Sequence, residues 1–308
     1  MYLVLAPAPA PEPPPPCGHG PEYVIHAARA PDSNAPASLF TIVTALTANH
    51  FEEARQLFVS RAKHSAETPI VLWDLGLTEA QRSEASTWCD VEIRRFAFEC
   101  YPAHVRELLR VAHAWKPIII ERMMQERGNV FWADASIRFV QPLPQATIDK
   151  WRTLGVVGRR ASGPLSAYTH EGTFRYLHLD VADYHTTPVI ASGLVLLLDR
   201  PDVRQNIVSP WVQCALTKEC IWPDGARHSP CEPVELKHHY RNCHRDDQSI
   251  LSILLAQHLP SSFYDTDFER TFAIVRKFDA QQPEHYNTSS LHECHRSPTP
   301  RGEHGASA

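Results

Sequence analysis

The sequence has no excess of positive charge: 30 lysines and arginines face 35 aspartates and glutamates, for a formal net charge of -5. A protein that binds nucleic acid through its backbone needs a basic surface to neutralise phosphates, so no nucleic-acid partner is expected. Basic residues that do occur together form pairs, Arg94-Arg95 and Arg159-Arg160, rather than stripes. A pair can clamp a small anion or simply sit solvated on the surface. No run of apolar residues approaches the roughly 20 needed to span a bilayer. Met1 to Leu5 is too short for a secretory core and runs straight into Ala-Pro repeats. No tight C-x2-4-C pair is present, which argues against a structural zinc site. The first strand is not followed by a Gly-x-Gly-x-x-Gly turn, which counts against dinucleotide binding.

What is present is an ordinary globular balance, 308 residues with 43% hydrophobic and 21% charged, enough for a substantial core. Eight cysteines and eighteen histidines stand out. Cys214, Cys220, Cys231 and Cys243 crowd into a Pro- and Cys-rich stretch at about 210–243. Loose spacing and an even count favour disulfides and an oxidising compartment, with buried free thiols or a metal as the alternatives. Asn287-Thr288-Ser289 is a glycosylation sequon pointing the same way. The expected location is the secretory pathway, Golgi or ER lumen, or outside the cell, with an N-terminal anchor missing from this chain; the alternative is cytoplasmic.

Residues 1 to about 37 are proline-rich and read as a disordered or polyproline stem. Strands are expected at Leu39–Leu46, Pro69–Asp74 and Val91–Phe96, with helices at His50–Lys63 and from Thr78, where Gln81 completes a capping box. Strand and helix in alternation predict a parallel sheet with crossovers. The spacing of Val105, Leu108, Leu109 and Ala112 predicts a helix from Pro102 to Lys116, ended by Pro117. A second helix then carries Ile119, Ile120, Met123 and Met124, the methionines as core filler, and closes at Gly128-Asn129. A short strand follows, Val130 to Ala133, on which alternation puts Asp134 and Ser136 on one face. Gly155–Gly158 and the continuously apolar Pro188–Leu198 are further strands. Gly193 inside the latter marks a close approach of ligand or backbone. Asp246-Asp247-Gln248 opens a helix to His258, and Phe272–Val275 is a last strand before a polar tail from about Asp279.

Glycosyl transfer from a nucleoside diphosphate needs a hard cation, held by oxygen ligands, to neutralise the departing diphosphate, and a carboxylate facing the anomeric carbon. Asp134 with Ser136, then Ser192-Gly193, then Asp246-Asp247-Gln248 fall in an order that fits. The run Trp115-Lys116-Pro117 to Ser136 resembles the approach to the acidic metal motif of GT-A-fold glycosyltransferases. Ser192-Gly193 and Asp247-Gln248 are similar to elements of the glycogenin-like family 8 branch. Residues from about 38 to 275 also resemble an uncharacterised glycosyltransferase-like family of animal secretory proteins, through Trp73-Asp74-Leu75-Gly76-Leu77, Tyr101-Pro102, Trp115-Lys116-Pro117 and Asp246-Asp247-Gln248-Ser249.

The resemblance implies an α/β, GT-A (Rossmann-like) nucleotide-diphospho-sugar transferase fold over about 38–278, its mixed, mostly parallel sheet flanked by helices. It implies a nucleotide-sugar donor, UDP-linked, and a glycan or protein acceptor. It implies Mn2+ or Mg2+ on Asp134 and Ser136, where Ser136 replaces the usual acid and leaves metal dependence open. Asp247, with Gln248 and Asp246, would stand near the reacting sugar. Thr44, Ala45, Asp74, Lys116, Ser192 and Gly193 would meet the donor, and His292 or His295 could complete a metal shell.

Each residue has a plainer reading. Asp246 can be a helix N-cap, Asp74 a turn-closer, and Lys116 a helix-end side chain reaching for solvent. The competing function is a catalytically silent glycan- or protein-binding module that keeps the fold; another nucleotide-dependent α/β enzyme, such as a methyltransferase, is a third.

Overall fold

A computed structural model describes residues 24–26, 38–228, 243–275 and 291–292 of the chain. Their frame is one seven-stranded mixed sheet. The first strand, β1 (Val24–His26), is followed by β2 (Thr41–Leu46), helix α1 (Phe51–His64), β3 (Ile70–Asp74), α2 (Glu79–Ala85) and β4 (Val91–Arg95). Next come α3 (Ala103–Glu107), α4 (Trp115–Arg127), β5 (Val130–Ala133), β6 (Ile137–Phe139), α5 (Gln145–Leu154) and β7 (Val156–Pro164). Two short helices, α6 (Leu165–Tyr168) and α7 (Glu171–Tyr176), lead to β8 (Pro188–Leu197). The chain then runs through α8 (Pro201–Val203), α9 (Ser209–Ala215) and α10 (Lys218–Ile221) to α11 (Asp246–His258), α12 (Thr266–Thr271) and β9 (Phe272–Ile274).

The sheet order is β1-β4-β3-β2-β5-β8-β7. The four middle strands, β4, β3, β2 and β5, run parallel, while β1, β8 and β7 join antiparallel. The alternation of strands and helices in the first half thus produces the expected parallel core. Every residue of β2, β3 and β5 is buried, as strands covered by helices on both faces should be. One apolar layer joins Val43, Trp73 and Trp132 to Ile119, Met123 and Met124 of α4; the other joins Ile42, Leu72 and Phe131 to Leu57 and Phe58 of α1. The two methionines are fully buried filler, each side chain worth about 1.5–3 kcal/mol of burial.

Local rules account for several boundaries. The Thr78–Gln81 capping box opens α2, and Gly128, at φ +78°, ends α4 by donating its N–H to Met124. Other expectations need correction. The strand β1 falls inside the proline-rich stretch read as a stem; three residues give no periodicity, and pairing with β4 supplies their structure. The helix expected from Pro102 to Lys116 stops at Glu107, and 108–114 turns instead. That turn brings His113 onto the start of α11, a contact that local periodicity does not encode. The last strand, β9, pairs with β6 in a separate two-stranded sheet. The cysteine-rich stretch is partly helical, and Cys214 and Cys220 are joined in a disulfide. Cys89, Cys100 and Cys243 are disulfide-bonded as well. The disulfide reading of the cysteines therefore holds over the described residues, while Cys17, Cys231, Cys294 and the sequon lie outside them. No helix of the described residues is long and apolar enough to cross a membrane.

Candidate functional site

The carboxyl ends of the parallel strands open onto one edge of the sheet, where α/β folds of this kind bind ligands. Asp134 stands there, directly after β5. It does not continue the strand: residues 134–136 form a turn, in which Asp134 accepts the N–H of Ile137 and donates its own N–H to Gly193 (2.8 Å). The alternation that put Asp134 and Ser136 on one strand face therefore does not apply, because the strand stops at Ala133. Gly193 sits so close that a Cβ on it would fall 2.4 Å from Asp134 Oδ2. The expected close approach at Gly193 is thus an approach of the Asp134 side chain.

Lys116 organises the site. It lies in the first turn of α4 and is 2% exposed. A buried ammonium at a helix N-terminus is unfavourable both for desolvation and for the helix dipole. Two carboxylates offset this: Lys116 Nζ is 3.3 Å from Asp134 Oδ1 and 3.1 Å from Asp247 Oδ2. It also lies 3.5 Å from the Ser192 carbonyl and over the Trp132 ring. Burial works to lower the ammonium's pKa, but Asp134 and Asp247 outweigh it and hold it above the usual lysine value. The solvent-reaching reading of Lys116 is thereby overturned. Trp132 Nε1–H donates to the same Asp134 oxygen at 2.7 Å.

Asp247 and Asp246 open α11, where two acids complement the helix dipole. Both are buried. Asp246 is not the N-cap expected of it: Arg245 holds that position with no side-chain cap bond. As the first helical residue, Asp246 accepts within the helix only the N–H of the adjacent Asp247 (2.7 Å). The same oxygen also takes the backbone N–H of His113 at 3.1 Å and lies 2.9 Å from His113 Nδ1. Its other oxygen is 3.3 Å from His228 Nδ1. Asp246 holds φ +30°, a strained value for a residue with a side chain, of the kind found at functional sites. Burial pushes the Asp247 carboxyl up, while His113 draws Asp246 well down against its own burial. Burial would lower His113, but Asp246 carries it up to about 9. Behind the pair, Trp211 Nε1–H donates to the Asp247 carbonyl (3.1 Å), and neutral His244, pushed down to about 4 by burial, bridges His170 N–H and the Ile221 carbonyl.

Asp134, Lys116, Ser192, Gly193, Asp246 and Asp247 therefore meet as one cluster. Gln248 follows on the half-buried face of the same first turn. Thr44 and Ala45 lie near the carboxyl end of β2, just past the stretch paired with β5; Thr44 Oγ1 is buried and makes no hydrogen bond. Asp74 is occupied: its carboxylate accepts the N–H groups of Gly76 and Leu77 and pairs with Arg82 at 3.0 Å, closing its own turn. His292 is elsewhere, beside Thr87, in the segment that leads into the amino end of β4, across the sheet from the cluster. It does not complete a metal shell at Asp134, and His295 lies outside the described residues.

The residues expected to hold Mn2+ or Mg2+ fit that role poorly. Asp134 Oδ1 is taken by an indole N–H and an ammonium, which leaves Oδ2 as its one oxygen for an ion, and Ser136 contributes only a neutral hydroxyl. Hard cations prefer several carboxylate and carbonyl oxygens. A group that could hold an ion is instead formed by His113, Asp246 and Asp247. His113 and His228 were not singled out from the sequence: His113 lies in a stretch with helical spacing, and only the fold shows what it faces.

Residues 24–121 match the sequence profile of a family described as a protein of unknown function, DUF1647. A comparison with curated proteins finds no match. Among solved structures, the chain is similar to the apo form of the bifunctional glycosyltransferase WbbM, at 12% identity and TM-score 0.45, with 75% of this chain and 39% of that one covered. It is similar to mouse xyloside xylosyltransferase 1, apo form, at 13% identity and TM-score 0.45, covering 71% and 82%. It is also similar to core-mannan synthase A (CmsA/Ktr4) from Aspergillus fumigatus in a Mn/GDP form, at 11% and 0.46, covering 86% and 80%. The chain thus spans about two fifths of WbbM. All three scores lie below 0.5, and the fold and site described above rest on this chain's own residues.

Proposed function

We propose that this protein is a GT-A-type glycosyltransferase that moves a sugar from a nucleotide-sugar donor to a glycan or protein acceptor. The observation that carries the reading is the buried Lys116 bridge between Asp134, at the carboxyl end of β5, and Asp247, at the start of α11. This bridge joins the strand edge where a donor's phosphates would lie to an acid suited to face a sugar carbon that develops positive charge. Asp247 is the acid near the reacting sugar, and Lys116 fixes its position. Thr44 and Ala45 face the nucleoside, and Ser192 and Gly193 line the floor. A cleft of about 380 Å³ lined by His170, Arg175, Tyr176, Lys218 and Trp222 offers aromatic faces and charges for the acceptor. It connects to the segment leading into α11 through the His170–His244 hydrogen bond. The disulfides support a secretory location.

One observation favours the silent-module alternative: Asp134 is already paired with Lys116, and Ser136 cannot replace an acid. A screen of nucleotide-sugar donors, with and without manganese, tests the proposal. Transfer or hydrolysis of one donor is expected, with Asp247→Asn reducing it by about 10²–10⁴. No turnover of any donor, with no heat of binding to nucleoside diphosphates in calorimetry, would leave the silent module standing.

A further inference from the structure

We propose that His113, Asp246 and Asp247 bind one divalent transition-metal ion, zinc or manganese, at a site separate from Asp134 and Ser136. The inference does not depend on glycosyl transfer, since the ion's binding is read directly.

Charge supplies the first argument. The cluster holds three carboxylates and one ammonium: Asp134 and Asp247 face Lys116, and Asp246 faces His113. A metal-ligating imidazole must give up its proton; with His113 deprotonated in this way, two negative charges remain, the charge of one divalent ion. Asp247 is shared between the two halves of the cluster: Oδ2 faces Lys116 at 3.1 Å, and Oδ1 faces His113 Nδ1 at 3.5 Å.

Geometry supplies the second. One ligand atom from each of the three residues lies within 4.8 Å of the other two. Bonds of about 2.1 Å in a tetrahedron put neighbouring ligand atoms roughly 3.4 Å apart. The observed separations from His113 Nδ1, 2.9 Å to Asp246 Oδ1 and 3.5 Å to Asp247 Oδ1, bracket that value. Three protein ligands leave a fourth position for water or substrate, as in catalytic rather than closed sites.

The surroundings supply the third. Asp246 is 0% exposed, and its Oδ2 accepts no hydrogen bond of normal geometry, although it points toward His228 Nδ1 at 3.3 Å. A histidine behind a ligating carboxylate is the kind of outer partner that orients metal ligands. The His113 side chain is 35% exposed, which gives an ion a way in to carboxylates that are otherwise enclosed. The imidazole also decides the ion: calcium and magnesium take oxygen shells, whereas a mixed nitrogen and carboxylate set suits zinc or manganese.

The test uses the full chain, stripped with a chelator and titrated calorimetrically with zinc, manganese and calcium chlorides. One equivalent of zinc or manganese should bind, and calcium should not. His113→Ala should weaken binding at least tenfold, while Asp134→Asn, which removes a nearby charge but no ligand, should weaken it less. Manganese-loaded wild-type protein should show histidine nitrogen coupling in its paramagnetic resonance spectrum, a readout that needs no variant to fold. Absence of binding by both transition metals, absence of nitrogen coupling, or binding lost in Asp134→Asn but kept in His113→Ala would each overturn the assignment.

Discussion

Lys116 Nζ stands 3.1 Å from Asp247 Oδ2, with both side chains almost entirely removed from solvent. At an effective dielectric constant near 20, two unit charges at that distance attract by about 5 kcal/mol before desolvation is counted. Removing one partner leaves the other charge buried and uncompensated. Lys116→Met should therefore lower stability by about 3–5 kcal/mol, far more than a surface ion pair would. Urea unfolding followed by tryptophan fluorescence measures it. A loss below about 1 kcal/mol would mean that Asp247 is balanced by something else.

Gly193 and Asp134 make the second prediction. A methyl group at 193 would lie 2.4 Å from Asp134 Oδ2 and 3.0 Å from its Cγ, so the carboxylate must swing away. Gly193→Ala should cost about 1–3 kcal/mol, the usual range for forcing extra volume into a packed site. For a chain of this size that lowers Tm by several degrees in calorimetry. Introduced into an Asp134→Ala background, Gly193→Ala should cost far less than in the wild type, because the clashing atoms are then gone.

The sheet and the strand-end location of Asp134 could be read from the sequence because each rests on a local pattern. Thr41–Leu46 and Ile70–Asp74 are largely apolar runs and Val91–Arg95 alternates apolar and charged residues, with helical segments between them, and Asp134 follows the next apolar run. The partners of Lys116 could not be read. A lysine before Pro117 looks the same whether its ammonium meets water or two carboxylates from β5 and α11. His113 was hidden by the same limit, since its contact with Asp246, 133 residues away in sequence, leaves no local pattern. His292 misled in the opposite direction: a tail histidine fits a metal-shell pattern, yet Leu291 is buried in the α1 layer and holds it beside Thr87.

A third prediction concerns acid. Asp265 accepts the Phe268 N–H at the start of α12 (2.7 Å), accepts from Thr147 and pairs with Lys150 at 2.7 Å. Burial opposes its ionisation, but the Lys150 contact and the N-cap bond outweigh it and lower its pKa. A carboxyl lowered in the folded state contributes stability above its unfolded pKa, about 3.9, and loses it as pH falls through the folded value. Wild-type stability should therefore drop below about pH 4. Asp265→Asn should already be weaker at neutral pH and show a shallower drop. Unfolding midpoints taken between pH 2 and 7 check this; parallel curves would exclude the role given to Asp265.

The Cys214–Cys220 disulfide ties α9 to α10, and α9 carries Trp211, whose indole N–H holds the Asp247 carbonyl at 3.1 Å. A loop with a sequence separation of 6 is short, so the chain-entropy model assigns it about 2 kcal/mol. Replacing both cysteines with serine should lower stability by roughly that amount in urea unfolding, without abolishing the fold. The loss should also reach the start of α11. Hydrogen exchange of the Asp247 and Gln248 amides should quicken in the double variant more than exchange in β2, which lies in the sheet's parallel middle. Equal changes in both places would show that the disulfide stabilises the chain as a whole and does not specifically support Asp247.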